Sequence, residues 1–114
     1  MELSSRDFGS TRVVRVGETR IDAAVAIQFK DQMRDLIEAG PDHIVLDLSG
    51  VTFVDSSGLG AIVAAMKQAG TPRQLELAGL TRSVKKVFAL TRMDRVFTIH
   101  ESVDAILAGP ANAD

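Results

Sequence analysis

The sequence predicts an α/β domain in which helices are laid against a mixed β-sheet. Three observations predict it. Short β-branched or apolar runs alternate with longer segments that repeat their apolar residues at helical spacing; the breaks fall at Gly, Pro and Asp; and the chain opens with two adjacent strand-like runs. Parallel neighbours in such a sheet need right-handed crossovers, and an N-terminal hairpin makes the sheet mixed.

Taken in order, Leu3 to Phe8 is weakly patterned and is expected to pair through a turn at Gly9-Ser10 with Arg12 to Val16, where Val13, Val14 and Val16 flank Arg15. Asp22 stands where a helix N-cap belongs, ahead of Ala23 to Ala39, which carry Ala26, Phe29, Met33, Leu36 and Ile37 on one face. Gly40-Pro41 supplies the stop. Ile44 to Leu48 is mostly apolar, the pattern of a strand buried on both faces, and is the candidate for the sheet centre. Val51 to Val54 then runs into a second helix striped by Leu59, Ile62, Val63 and Met66 and closed by Gly70 and Pro72. Gln74 to Ala78 alternates as a strand, and Thr81 is expected to cap a third helix lined by Val84, Val87, Phe88 and Met93. A strand over Val96 to Ile99 and a last helix capped by Ser102 and running through Leu107 complete the set, leaving residues 109–114 as a flexible tail to a domain spanning 1–108. Phe29, Phe53, Phe88 and Phe97 read as core.

Composition narrows the function. A chain of 114 residues with 46% hydrophobic content can bury a core without staples. With no cysteine, it can use neither thiol chemistry nor thiolate metal sites. A formal net charge of −2 argues against a general nucleic-acid binder. The first residues carry no apolar signal-like stretch, and no apolar run approaches the roughly 18 residues of a membrane span, so a cytoplasmic location is expected.

Chemistry concentrates at Asp55-Ser56-Ser57-Gly58-Leu59-Gly60, where small and polar groups crowd the junction of an apolar run and a helix. Helix N-termini leave backbone N–H groups unpaired and carry partial positive charge, so they accept an anion such as phosphate. Capping and turn formation alone would explain the same residues.

The stretch Phe53-Val54-Asp55-Ser56-Ser57-Gly58-Leu59-Gly60, preceded by His43-Ile44-Val45-Leu46-Asp47-Leu48-Ser49, resembles the signature of STAS-domain anti-sigma-factor antagonists. Gly17 to Asp22 and Ser83 to Phe88 resemble further segments of that family, with an additional Thr19-Arg20 before Asp22. The resemblance implies a STAS fold: a mixed central sheet of four to five strands with an N-terminal hairpin, packed by about four helices. It implies that Ser56 is the phosphorylated serine, that Ser57 is its neighbour and the helix cap, and that Asp22, Asp55, Ser56, Ser57, Gly58, Leu59 and Gly60 form a partner-binding surface. It further implies an anti-anti-sigma factor that binds an anti-sigma factor, itself a serine protein kinase of histidine-kinase-like ATPase fold, and is released when Ser56 is phosphorylated; a PP2C-type phosphatase reverses the step. ATP and magnesium then belong to the kinase, since this chain has no Walker-type sequence, and no cofactor is expected here. The alternatives are a STAS scaffold or adaptor subunit of a stress-sensing complex or lipid transporter, and a nucleotide sensor at the Asp55 loop.

Weaker signals have plainer readings. Arg73, Arg82, Lys85, Lys86, Arg92 and Arg95 outnumber Glu76 and Asp94 and read as the solvated side of a helix. His43 and His100 lack metal-ligand spacing and read as strand-end residues. A hydrolytic set of Ser56, a histidine and Asp22 has no Gly-x-Ser-x-Gly elbow to support it, so the chain is not expected to be an enzyme.

Overall fold

In a computed structural model that describes residues 1–108, seven strands and four helices are formed. The tail expected over 109–114 lies outside the described residues. The strands are β1 (Leu3–Phe8), β2 (Thr11–Val16), β3 (Arg20–Ile21), β4 (His43–Asp47), β5 (Phe53–Val54), β6 (Gln74–Ala78) and β7 (Ile99–His100); the helices are α1 (Ala26–Glu38), α2 (Ser56–Ala69), α3 (Arg82–Leu90) and α4 (Val103–Ala108).

Five strands make the main sheet in the order β1-β2-β4-β6-β7. The hairpin β1-β2 is antiparallel and the other pairings are parallel, which is the mixed sheet predicted from the sequence. β4 lies at its centre, with Ile44, Val45 and Leu46 fully buried as its unbroken apolar run requires. A second, two-residue pairing of β3 with β5 was not visible in the sequence, because two residues are too few to show a period.

Strand alternation divides the apolar residues between two faces. Val14, Ile44, Leu46 and Leu77 meet Phe29, Met33 and Ile37 of α1, Ile62 and Ala65 of α2, and Val84 and Phe88 of α3 in the main core. Val13, Val45 and Ala78 point the other way and are met by Val103 and Ile106 of α4. Phe97 closes the main core edge-to-face against Phe88, ring centroids 5.9 Å apart.

Several expectations are corrected in detail. Asp22 is not the N-cap of α1: residues 23–25 form a turn, with the Val25 N–H on the Asp22 carbonyl at 3.1 Å, and the helix begins at Ala26 after Val25. Thr81 is the N-cap residue of α3 as expected, but its hydroxyl makes no capping bond and is spent across the fold, donating to the Val51 carbonyl at 2.7 Å. α3 stops at Leu90, where the Thr91 hydroxyl bonds back to the Val87 carbonyl and Arg92 turns left-handed; Met93 therefore sits in a separate 3₁₀ turn. The last strand is Ile99–His100 rather than Val96 to Ile99, because Val96 and Phe97 complete that turn through bonds to the Met93 carbonyl. Phe53 is 40% exposed and not core, since β5 turns Val54 inward and Phe53 outward. Ser102 does cap α4, accepting the Ala105 N–H at 3.0 Å.

Candidate functional site

Two neighbouring turns come together at the start of α2. β3 and β5 lie side by side, Arg20 opposite Phe53 and Ile21 opposite Val54, and each leads directly into a turn carrying a carboxylate. Asp55 adopts an extended backbone and is the N-cap of α2, its Oδ1 accepting the Gly58 N–H at 2.8 Å. This corrects the expectation that Ser57 caps the helix; Ser57 is the second helical residue and is exposed. From one residue before the helix, the Asp55 carboxylate reaches the N–H of the third helical residue, Gly58.

Asp55 has a second task. Its Oδ2 accepts the Ala23 N–H at 3.3 Å, tying the start of α2 to the turn before α1. Asp22 holds the same turn from within, Oδ1 on the Ala24 N–H at 3.1 Å, while Oδ2 takes an ion pair from Arg20 Nε at 3.3 Å. The Arg20 guanidinium is stacked 4.1 Å from the Phe53 ring centroid. The additional Thr19-Arg20 therefore becomes part of the frame: the Thr19 carbonyl accepts from the Thr52 N–H, and Arg20 fixes both Phe53 and Asp22.

Gly58 is required by contact. A Cβ placed there would overlap the Ile21 carbonyl oxygen, so α2 can lie against β3 only with glycine at this position. Gly60 differs, since a Cβ there would meet nothing within 4 Å. Leu59 points inward and packs, partly buried, against the main core.

Ser56 is the first residue of α2 and is exposed, and among the described residues neither its hydroxyl nor that of Ser57 has a hydrogen-bond partner. Ser56, Ser57 and Gly60 border a shallow depression of about 480 Å³ whose opposite wall is α1, with Ile27 and Lys30. Ile27 is 69% exposed. Of the residues singled out from sequence, the structure thus gathers Asp22, Asp55, Ser56, Ser57, Gly58 and Gly60 at one corner and turns Leu59 partly away. Sequence reasoning missed Ile27, Lys30 and Arg20; the usable signal was that Ile27 is apolar yet falls off the Phe29-Met33-Ile37 face.

The histidines lie elsewhere. His43 and His100 both contact Glu76 on the sheet face turned away from α1 and α2, so neither is placed to act on Ser56.

Comparison with known proteins identifies the family. A family model described as the STAS domain matches residues 4–106. The chain belongs to the STAS domain family. A STAS-domain containing protein of Pseudomonas aeruginosa is 30% identical over 81 residues, covering 70% of this chain and 79% of its own. An anti-sigma-F factor antagonist of Mycobacterium tuberculosis is 22% identical over 107 residues, covering 90% of this chain and 87% of its own. Among solved structures, an anti-sigma factor antagonist from Mycobacterium paratuberculosis superposes with a TM-score of 0.83 at 24% identity, over 99% of this chain and 94% of that one. This STAS chain has no helix, among the described residues, long and apolar enough to cross a membrane.

Proposed function

We propose that this STAS protein is an anti-sigma-factor antagonist, a binding switch rather than an enzyme, with residues 1–108 acting as one domain in the cytoplasm. In its unphosphorylated form it binds an anti-sigma factor that is also a serine kinase of histidine-kinase-like ATPase fold, and phosphorylation of Ser56 ends the complex until a PP2C-type phosphatase restores it. The observation that carries the reading is the placement of Ser56: an exposed hydroxyl, unbonded among the described residues, on the first residue of a helix whose N-terminus is locked by Asp55 and Gly58. The likeness to the anti-sigma-F factor antagonist of Mycobacterium tuberculosis supports the choice of partner.

The energetics support a switch. Phosphorylation adds roughly −1.5 to −2 charge and three acceptor oxygens. At the N-terminus of α2 the helix dipole tolerates that charge, so the fold is retained while the surface changes. A partner seated over the exposed Ile27, the depression beside it and the side-chain-free Gly60 would have to desolvate the phosphate, at a cost of several kcal/mol. Each 1.4 kcal/mol is a tenfold loss of affinity, so even a partial penalty releases the partner.

The test is a pull-down from the native lysate with wild-type, Ser56→Ala and Ser56→Asp baits, with mass spectrometry of the bound proteins and of Ser56. Wild type and Ser56→Ala are expected to retain a kinase-like ATPase that Ser56→Asp loses, with phosphate found on Ser56. If all three baits hold the same transporter or scaffold component, the adaptor role replaces this one.

A further inference from the structure

The second face of the sheet carries a cluster that the Ser56 corner does not use. His43 opens β4, Glu76 lies within β6 and His100 ends β7. One carboxylate oxygen, Glu76 Oε1, lies 2.7 Å from His43 Nε2 and 3.0 Å from His100 Nε2. The other ring nitrogen of His43, Nδ1, lies 2.8 Å from the Thr11 hydroxyl. This network is satisfied in both charge states of His43: the neutral ring donates from Nε2 to Glu76 and accepts the Thr11 hydroxyl at Nδ1, whereas the charged ring donates from both nitrogens. Protonation therefore breaks no bond and makes the bonds to Glu76 charge-assisted.

What the cluster holds is a lightly anchored part of the fold. β7 is two residues long, and bonds from the Leu77 and Gly79 N–H groups to the Thr98 and His100 carbonyls, at 2.9 and 3.1 Å, attach this segment to β6. α4 follows after two residues, has no fully buried residue and rests on the sheet through Val103 and Ile106. Segments with so little buried apolar contact open locally before the rest of a fold does.

We infer that His43, Glu76 and His100 form a proton-tightened clasp that sets how firmly β7 and α4 stay seated on the sheet. The three groups share one depression, and its other walls are uncharged: Phe8, Thr11 and Gln74 from the sheet, and Ala105, Ile106 and Leu107 from α4. The nearby charges Arg15, Asp47, Glu101 and Asp104 border a separate depression. Burial pushes the Glu76 carboxyl up, but the bonds from His43 and His100 and their charge outweigh it and hold the group below the usual glutamate range. Glu76 is thus an anion at both mildly acid and mildly basic pH, and the bonds it accepts strengthen when an imidazole beside it carries a charge. The added attraction is present with the imidazoles charged and is lost as they give up their protons with rising pH.

Native-state hydrogen exchange of residues 99–107, corrected for the intrinsic chemical rate, tests this at pH 5.5 and 8.0. Protection in the wild type is expected to be about two- to fivefold higher at pH 5.5, the scale of a partly exposed ion pair, with no comparable gain in α1 and no gain in Glu76→Gln. Equal protection at the two pH values, a gain of the same size in α1, or a full gain persisting in Glu76→Gln would each overturn it. Should Glu76→Gln not fold, His100→Gln serves instead: a reduced gain supports the clasp and an undiminished one overturns it.

Discussion

Gly58 and Gly60 sit two positions apart in α2 and answer to different constraints. The first faces the Ile21 carbonyl with no room for a methyl group, and the second faces open space. Gly58→Ala is expected to cost about 1–3 kcal/mol through a forced shift of α2 from β3. Gly60→Ala is expected to gain about 0.5–1 kcal/mol, because alanine loses less backbone entropy in a helix. Urea-unfolding midpoints of the two variants check both signs; a neutral Gly58→Ala would mean that the approach of α2 to β3 is adjustable. The sequence made both glycines candidates, since each lies in the Asp-Ser-Ser-Gly-Leu-Gly string, but it could not tell them apart. The difference is a neighbour supplied from 37 positions earlier in the chain, at Ile21. Asp55 was legible as a residue of consequence for the same reason, while its bond to the Ala23 N–H depends on β3 and β5 lying side by side.

At the scale of elements, the contact between α1 and α2 shows where periodicity is informative and where it falls short. The sequence gives α2 a stripe of Leu59, Ile62, Val63 and Met66, yet the fully enclosed edge is Gly58, Ala61, Ile62, Ala65 and Ala69. Large apolar residues mark the side of a helix that turns inward, but small ones mark where another element comes closest, and a hydrophobicity count weights them least. Ala61→Leu should therefore be destabilising by about 1–3 kcal/mol through overpacking, even though it raises apolar content and suits a helix. Thermal unfolding checks it. A stability equal to wild type would mean that α1 has room to retreat. The Asp22 correction has a similar origin: an Asp ahead of an apolar period signals a cap, but its carbonyl and carboxylate here build a turn that delays the helix to Ala26.

Across the whole molecule, acid sensitivity follows from Asp7 and Glu76. Asp7 is held below the usual carboxylate range mainly by its hydrogen bond to Arg12, which overcomes a small opposing effect of burial, and Glu76 is held below its own range by the two histidines against burial. A carboxyl lowered by folding contributes stability above its unfolded value, about pH 4 to 4.5, and that contribution is lost as pH falls through the lower folded value. Asp7 lies on the exposed surface, so Glu76 is the group to test. Denaturant midpoints measured from pH 7 to pH 3 are expected to fall on the acid side, and Glu76→Gln should fall less steeply there. Identical slopes for the two proteins would remove Glu76 from the account.

The sequence by itself determined the α/β class, the hairpin, the central position of β4 and the identity of the Asp55-to-Gly60 junction, because each rests on contacts within a few residues or on a period that survives in one dimension. Only the tertiary structure decided that Ile27 and Lys30 face Ser56 across a depression, that Arg20 braces Asp22 and Phe53, and that His43 and His100 meet on Glu76. Those groups come from different strands and helices, 33 and 24 residues from Glu76 in the case of the histidines. Side chains so far apart carry no local signal of one another; the order of strands in the sheet brings them together, and that order is set by the burial of the whole core.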